Sequence, residues 1–296
     1  MSIINKGLRS VAGTVAAVLV TAPARADWGL INMPQGVTDL SREIYDLHML
    51  ILWVCVAIGA VVFAAMIYSL VKYRRSQGAV ADTSILHSDK VEFIWTIIPV
   101  FILVAMAVPA ARTLLKIEDM TGSQMTVKVT GYQWQWRYDY LDAGIGFYSR
   151  LARSSDEARQ LDSGVDPRTV DHYLLDVDNP LVVPEHTKVR LLLTANDVIH
   201  SWWVPDLAVK RDAIPGFVNE IWFQANEPGI HRGQCAELCG RDHGFMPIVV
   251  VVKSKDDFAA WLEAEQARSR QAAVAVDTTT AQLHATDGVA ILAQAE

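Results

Sequence analysis

The densest concentration of metal-ligand residue types in the chain is the run Cys235-Ala236-Glu237-Leu238-Cys239-Gly240-Arg241-Asp242-His243-Gly244-Phe245-Met246. A second histidine, His200, precedes it in Asn196-Asp197-Val198-Ile199-His200-Ser201-Trp202-Trp203. Two thiolates, two imidazoles and a thioether make a soft donor set, which selects copper or another thiophilic metal and excludes magnesium or calcium as its principal ion. Zinc would accept Cys2His2, but it has little use for methionine, and the spacing departs from its usual arrangement. A Cys235–Cys239 disulfide suits an oxidising compartment, yet it leaves His200, His243 and Met246 without a purpose. A single blue copper takes His2Cys with a weak Met, which leaves one cysteine over. The extra cysteine allows two thiolates to bridge two copper ions, each with one histidine and one weak axial ligand. A backbone carbonyl between the cysteines, with Glu237 the natural candidate, completes that set. Shared thiolates in a dry site spread one electron over both metals, which suits electron transfer. The ligand set leaves no evident open position for a substrate.

These residues need a rigid frame. From Met120 onward, short β-rich runs at 125–130, 132–140, 173–177, 188–194, 218–225 and 247–253 alternate with turn signals, which predicts an all-β sandwich or barrel of roughly 130 residues. The run 132–140 alternates strictly and would place Tyr132, Trp134, Trp136, Tyr138 and Tyr140 on one face. The polar stretch 144–170 reads as a surface insertion. Phe258, Trp261 and Leu262 give 256–270 helical spacing, 271–296 is rich in Ala, Thr and Gln, and 264–296 reads as a C-terminal tail.

The N-terminal part is of a different kind. Lys6 and Arg9, the apolar run 11–20 and Ala24-Arg25-Ala26 before Asp27 read as a signal peptide, 1–26. Residues 27–119 then hold two apolar stretches of membrane length, about 47–71 and 93–115. Lys72, Arg74, Arg75 and Lys90 between them place the connecting loop in the cytoplasm. A hairpin follows, with both mature termini and the β domain (120–263) on the far side of the membrane. Net charge is −7, and the leader carries Lys6, Arg9 and Arg25 with no acid, so the remainder is more acidic still. That argues against nucleic acid as a partner and suits a basic protein partner. Cys55, alone in the first span, reads as packing. His48, His87, His172, His186, His231 and His284 read as ordinary polar residues.

Taken with Glu92-Phe93-Ile94-Trp95-Thr96-Ile97-Ile98-Pro99, Gly131-Tyr132-Gln133-Trp134-Gln135-Trp136, Lys210-Arg211-Asp212-Ala213-Ile214-Pro215-Gly216 and the stretch 233–247, the chain resembles subunit II of haem–copper cytochrome c oxidases, of the bacterial type close to mitochondrial homologues. The resemblance implies a Greek-key cupredoxin fold in a bacterial inner-membrane protein, with the copper domain in the periplasm. It implies a dinuclear copper A centre of two copper ions on His200, Cys235, the Glu237 carbonyl, Cys239, His243 and Met246. It also implies a magnesium ion, shared with subunit I, on the Glu237 carboxylate. Trp134 becomes the ring at which electrons arrive from cytochrome c, and Glu92 the mouth of a proton channel leading into subunit I. Gln135 stands where many relatives have an aromatic, so no accessory role is carried over to it. Implied partners are subunit I with its haem and copper B, other oxidase subunits, cytochrome c and membrane lipid. Asp139, Asp197 and Asp206 are candidates for the acidic surface that attracts a basic cytochrome c.

Three rivals differ in kind. A quinol oxidase subunit II would lack the copper ligands. A membrane-tethered copper carrier or assembly protein would bind metal exchangeably and need no aromatic for electron transfer. A nitrous oxide reductase would need a second catalytic domain. The chain has no C-x-x-C-H haem attachment motif.

Overall fold

The computed structural model describes residues 31–80, 84 and 87–271. The predicted signal peptide, residues 272–296 of the predicted 264–296 tail and His284 lie outside these residues, while 264–271 is helical.

Among the described residues two long helices come first, α1 (Asp39–Lys72) and α2 (Asp89–Ile117). Thr38 caps α1 reciprocally: its hydroxyl accepts from the Ser41 N–H at 2.8 Å, and its own N–H donates to the Ser41 hydroxyl at 3.0 Å. The helix starts earlier than the predicted span because its first turns are polar, with Asp39, Ser41, Arg42, Glu43 and Asp46. At roughly 1.5 Å per residue both helices exceed the ~30 Å of a bilayer's hydrocarbon core. None of either apolar window is buried within the chain. Cys55, expected to pack, is exposed on α1. Pro99 and Pro109 lie inside α2, as membrane helices tolerate.

Among the described residues ten strands build two five-stranded sheets. The first sheet runs β3-β2-β1-β5-β8, from β1 (Met125–Tyr132), β2 (Gln135–Tyr140), β3 (Ile145–Ser149), β5 (Val189–Ala195) and β8 (Asn219–Phe223). The second runs β4-β10-β9-β6-β7, from β4 (Leu181–Pro184), β6 (His200–Val204), β7 (Val209–Ala213), β9 (Gly229–Cys235) and β10 (Pro247–Lys253). Parallel pairs β1–β5 and β4–β10 within otherwise antiparallel sheets give the cupredoxin-like weave. Alternating burial in β2 and β5 aims one face of the first sheet inward. Trp136, Tyr138, Leu191 and Leu193 there meet Trp202, Val204, Ile248 and Val250 of the second sheet in one core. The Tyr140 hydroxyl donates to the Val182 carbonyl at 2.8 Å and ties the two sheets together.

Three expectations are corrected. The run 132–140 is not one strand: Tyr132 pairs with Gln135, so Gln133 and Trp134 form a tight hairpin turn and only Trp136, Tyr138 and Tyr140 share the buried face. The run 173–177 is not a strand either, because positive φ at His172 and Leu174 is incompatible with extended backbone. Only an isolated bridge joins Val177 to Leu151. The stretch 144–170 begins inside the fold, since β3 pairs with β2 and buries Ile145 and Ser149. A short helix α3 (Arg153–Ala158) follows, with Ser155 and Ala158 buried. After β10 a helix occupies 255–271, and Phe258, Trp261 and Leu262 pack on the core as their spacing predicts.

The β domain holds the start of α1 and the end of α2. Val37 donates its N–H to the Asp206 carbonyl at 2.9 Å, and the Trp222 indole donates to the Lys116 carbonyl at 3.0 Å. Arg211 grips Glu118 through both carboxylate oxygens at 2.8 Å.

Candidate metal centre

His200 opens β6 and Cys235 closes β9, and the antiparallel pairing of Trp202 with Cys235 brings both to one edge of the sandwich. Cys239, His243 and Met246 come from the loop 236–246 that joins β9 to β10. The Cys235 and Cys239 sulfurs lie 3.8 Å apart. His200 Nδ1 is 3.9 Å from the first sulfur, and His243 Nδ1 is 3.5 Å from the second. Met246 Sδ is 3.6 Å from Cys239 Sγ, and the Glu237 carbonyl is 3.4 Å from Cys235 Sγ. The structure thus brings the six residues together, and among the described residues His200, Cys235 and Cys239 present ligand atoms that all lie within 4.8 Å of one another. The Glu237 side chain, by contrast, is exposed.

This donor set fits copper. The sulfurs are too far apart for a disulfide, whose S–S bond is ~2.05 Å. They are close enough to share a metal, since two metal–sulfur bonds of ~2.3 Å span up to ~4.6 Å. His200, Cys235, Cys239 and Met246 are all buried, so soft ligands and low water access coincide.

The second layer fixes the first. His200 Nε2 bonds to the Asp197 carboxylate at 2.9 Å, which leaves Nδ1 with its lone pair towards the sulfurs. Asp197 also accepts the Gln133 N–H at 2.7 Å. The Gln133 amide and the Trp134 indole both donate to the Cys239 carbonyl, at 2.9 and 3.1 Å. The Trp136 indole donates to the Met246 carbonyl at 3.4 Å, and its ring lies edge-on to His200. Gly131 packs directly beneath His200: a Cβ there would stand 2.7 Å from the imidazole.

The two thiols ionise unequally. Burial pushes the Cys235 thiol up, but His200, the Glu237 and Ser201 backbone and His243 outweigh it and bring its pKa down to about 7. Burial and the neighbouring Cys235 push Cys239 up to about 12. Burial opposes charge on His200, yet Cys235 and Asp197 overcome it and raise its pKa above the ordinary value.

Other predicted residues sit elsewhere. Trp134 is half-buried rather than fully exposed, with Arg241 over its ring at 5.5 Å. Glu92 lies in the first turn of α2, where its carboxylate accepts the Ser88 N–H at 3.3 Å. None of the three candidate surface acids is free. Asp139 pairs with Arg137 at 2.8 Å, Asp197 orients His200, and Asp206 faces His231 at 3.2 Å. His231 is buried, unlike the ordinary polar residue expected. Gly131, Gln133 and Trp136 carry positioning roles that sequence reasoning missed. Their one signal was membership of the aromatic run before Asp197.

Fold and site together define a membrane-anchored cupredoxin with a thiolate site for a soft metal. The model of the family "Cytochrome C oxidase subunit II, periplasmic domain" matches residues 125–253, and that of its transmembrane domain matches 26–113. The Rickettsia bellii protein named "Probable cytochrome c oxidase subunit 2" is 41% identical over 226 residues, covering 76% of this chain and 80% of its own length. Cytochrome c oxidase subunit 2 of Cereibacter sphaeroides is 35% identical over 271 residues, 85% of this chain and 88% of its own. A crystal structure of the periplasmic domain of the Bradyrhizobium japonicum subunit II is 40% identical, covering 51% of this chain and 99% of that one, with a TM-score of 0.44. The chain belongs to the cytochrome c oxidase subunit II family. It is a membrane-bound, copper-type electron-transfer subunit of a haem–copper oxidase complex, and the reading as a membrane-tethered copper carrier or assembly protein is set aside.

Proposed function

We propose that His200, Cys235, the Glu237 carbonyl, Cys239, His243 and Met246 hold two copper ions, and that Trp134 is where electrons reach them from cytochrome c. The carrying observation is the pair of sulfurs 3.8 Å apart, flanked on either side by a histidine Nδ1. When bound, the copper pair supplies a one-electron redox centre that takes an electron from reduced cytochrome c and yields it to haem in subunit I. The residues of this chain hold it in place. Asp197 fixes the tautomer of His200, Trp136 holds the Met246 backbone, and burial excludes water that would reorganise with each change of charge. Trp134 joins its ring to Cys239 through one hydrogen bond, giving a short bonded route from the surface to a ligand.

The exposed Glu237 carboxylate, two residues from Cys235, is available to a magnesium ion shared with subunit I. Glu92, at the loop end of α2, is assigned to the mouth of the proton route. The basic connecting loop supports an orientation with the β domain in the periplasm of a bacterial inner membrane. The lipid and subunit I would cover the apolar helix faces that none of the described residues covers. Oxygen reduction belongs to subunit I, so this chain alone consumes no oxygen.

Electron paramagnetic resonance with copper quantitation on the purified oxidase complex tests the centre. A seven-line hyperfine pattern attributable to this subunit, lost in Cys239→Ser, is expected. A four-line single-copper pattern would overturn the dinuclear reading.

A further inference from the structure

The loop 236–246 carries three of the side-chain ligands, yet it has few bonds of its own. His243 N–H donates to the Gly240 carbonyl and Phe245 N–H to the Asp242 carbonyl. Loops with so few internal bonds open locally at low cost. Trp134, Gln133 and Trp136 hold the loop from the hairpin side, at Cys239 and Met246. The stretch between His243 and Met246 is gripped from another direction, by the polar segment after β3.

We propose that Arg159, at the end of α3, is a positioning residue that clamps this loop; the proposal rests on the reading of His243 and Met246 as copper ligands. The Arg159 guanidinium carbon lies 4.4 Å from the centre of the Phe245 ring, in the residue directly between the ligands' turn and Met246. One terminal nitrogen approaches the Asp242 carboxylate at 3.7 Å, so Arg159 touches the residues on both sides of His243-Gly244. Its Nε is held by Asp156 at 2.7 Å, which fixes the plane of the group. The side chains are sheltered, 24% exposed for Arg159 and 15% for Asp242, so the contact is stronger than a solvated surface pair.

A clamp needs an anchored base, and the segment has one. Ser155 is fully buried and its hydroxyl accepts the Leu174 N–H at 3.1 Å. Ala152 N–H donates to the Asp176 carbonyl at 2.9 Å, and Arg150 and Asp178 exchange bonds of 2.7 and 3.0 Å. Asp176 in turn faces Arg232 of β9 at 3.6 Å. The polar stretch is therefore a strut from the sandwich to the copper loop. Its arginine contributes a planar stack that lysine would not reproduce.

Backbone amide exchange over 241–246 in the metal-free full-length chain in detergent tests the clamp directly. Arg159→Ala is expected to speed exchange there by about 5- to 30-fold, the factor for losing a contact of one to two kcal/mol. Arg159→Lys should recover only part of this. Arg153→Ala, which removes a 92% exposed side chain from the same helix, should leave exchange unchanged. In the copper-loaded oxidase, Arg159→Ala should speed copper loss to a chelator by a similar factor. Unchanged exchange over 241–246, or equal effects from Arg153→Ala and Arg159→Ala, would overturn the clamp. Should the unsubstituted oxidase show no copper on His243 and Met246, the ligand reading fails, while the exchange data still judge the clamp.

Discussion

The indole N–H of Trp134 donates to the backbone carbonyl of Cys239 at 3.1 Å, so the half-buried ring and a sulfur ligand belong to one hydrogen-bonded unit. Trp134→Phe keeps a ring but removes the donor, at a cost of about 1 kcal/mol to the local structure. Trp134→Leu removes both. With the copper spectrum retained in each, electron transfer from reduced cytochrome c to the complex, followed by stopped flow, should slow in Trp134→Phe and slow further in Trp134→Leu. Transfer at the unsubstituted rate in Trp134→Leu would rule out a route through this ring.

Gly131 has no room for a side chain. A Cβ would lie 2.7 Å from the Cδ2 of His200, which is fully buried and tied to Asp197, so the ring cannot swing away. Gly131→Ala should therefore cost roughly 1–3 kcal/mol as an overpacked site. It should lower copper occupancy more than it lowers the melting temperature of the metal-free chain. Metal analysis beside thermal unfolding separates the two, and full occupancy would show that the ring adapts.

Ligand types were legible because soft donors at close spacing are rare, and the hairpin because long apolar runs admit few other uses. Register was less legible. Period-two reading carried the strand straight through Gln133 and Trp134, since both residues suit a strand and neither is a turn former. The tight turn is decided by pairing with β1 and by bonds from both residues to Cys239, which are contacts distant in sequence. Asp197 looked like a surface acid for a different reason: its partner, the far nitrogen of His200, is only three residues on, but residue types alone do not say which way the two side chains turn. The polar composition of 144–170 concealed β3, whose Ile145, Phe147 and Tyr148 pack among aromatics of β1, β2 and the 255–271 helix.

Copper uptake by the metal-free chain should strengthen as pH rises. Cys239, with its pKa pushed up to about 12, is a neutral thiol throughout the working range and must release a proton to bind. Cys235, at about 7, adds a second proton only below that pH, and His200, whose pKa its partners raise above the ordinary value, releases a further proton wherever it is charged. Each proton released gives about a tenfold gain in apparent affinity per pH unit. The slope should therefore be steeper below about pH 7 than above it. Chelator competition across this range measures it, and a flat profile would contradict thiolate ligation.

Asp197 distinguishes a ligand-orienting role from a docking one. Its carboxylate fixes His200 Nε2 at 2.9 Å and receives the Gln133 N–H at 2.7 Å, so Asp197→Ala strands a donor on each. Loss of such an orienting partner typically weakens metal binding by about 10- to 100-fold. A surface acid acting only by long-range attraction would change the salt dependence of association with cytochrome c and leave copper affinity alone. Competition with a copper chelator, paired with association rates at two ionic strengths, separates these roles. A large loss of affinity with little change in salt dependence is expected, because a carboxylate already engaged by three donors within the protein, the Gln133 and Val198 N–H groups and His200, presents little free charge to an approaching partner.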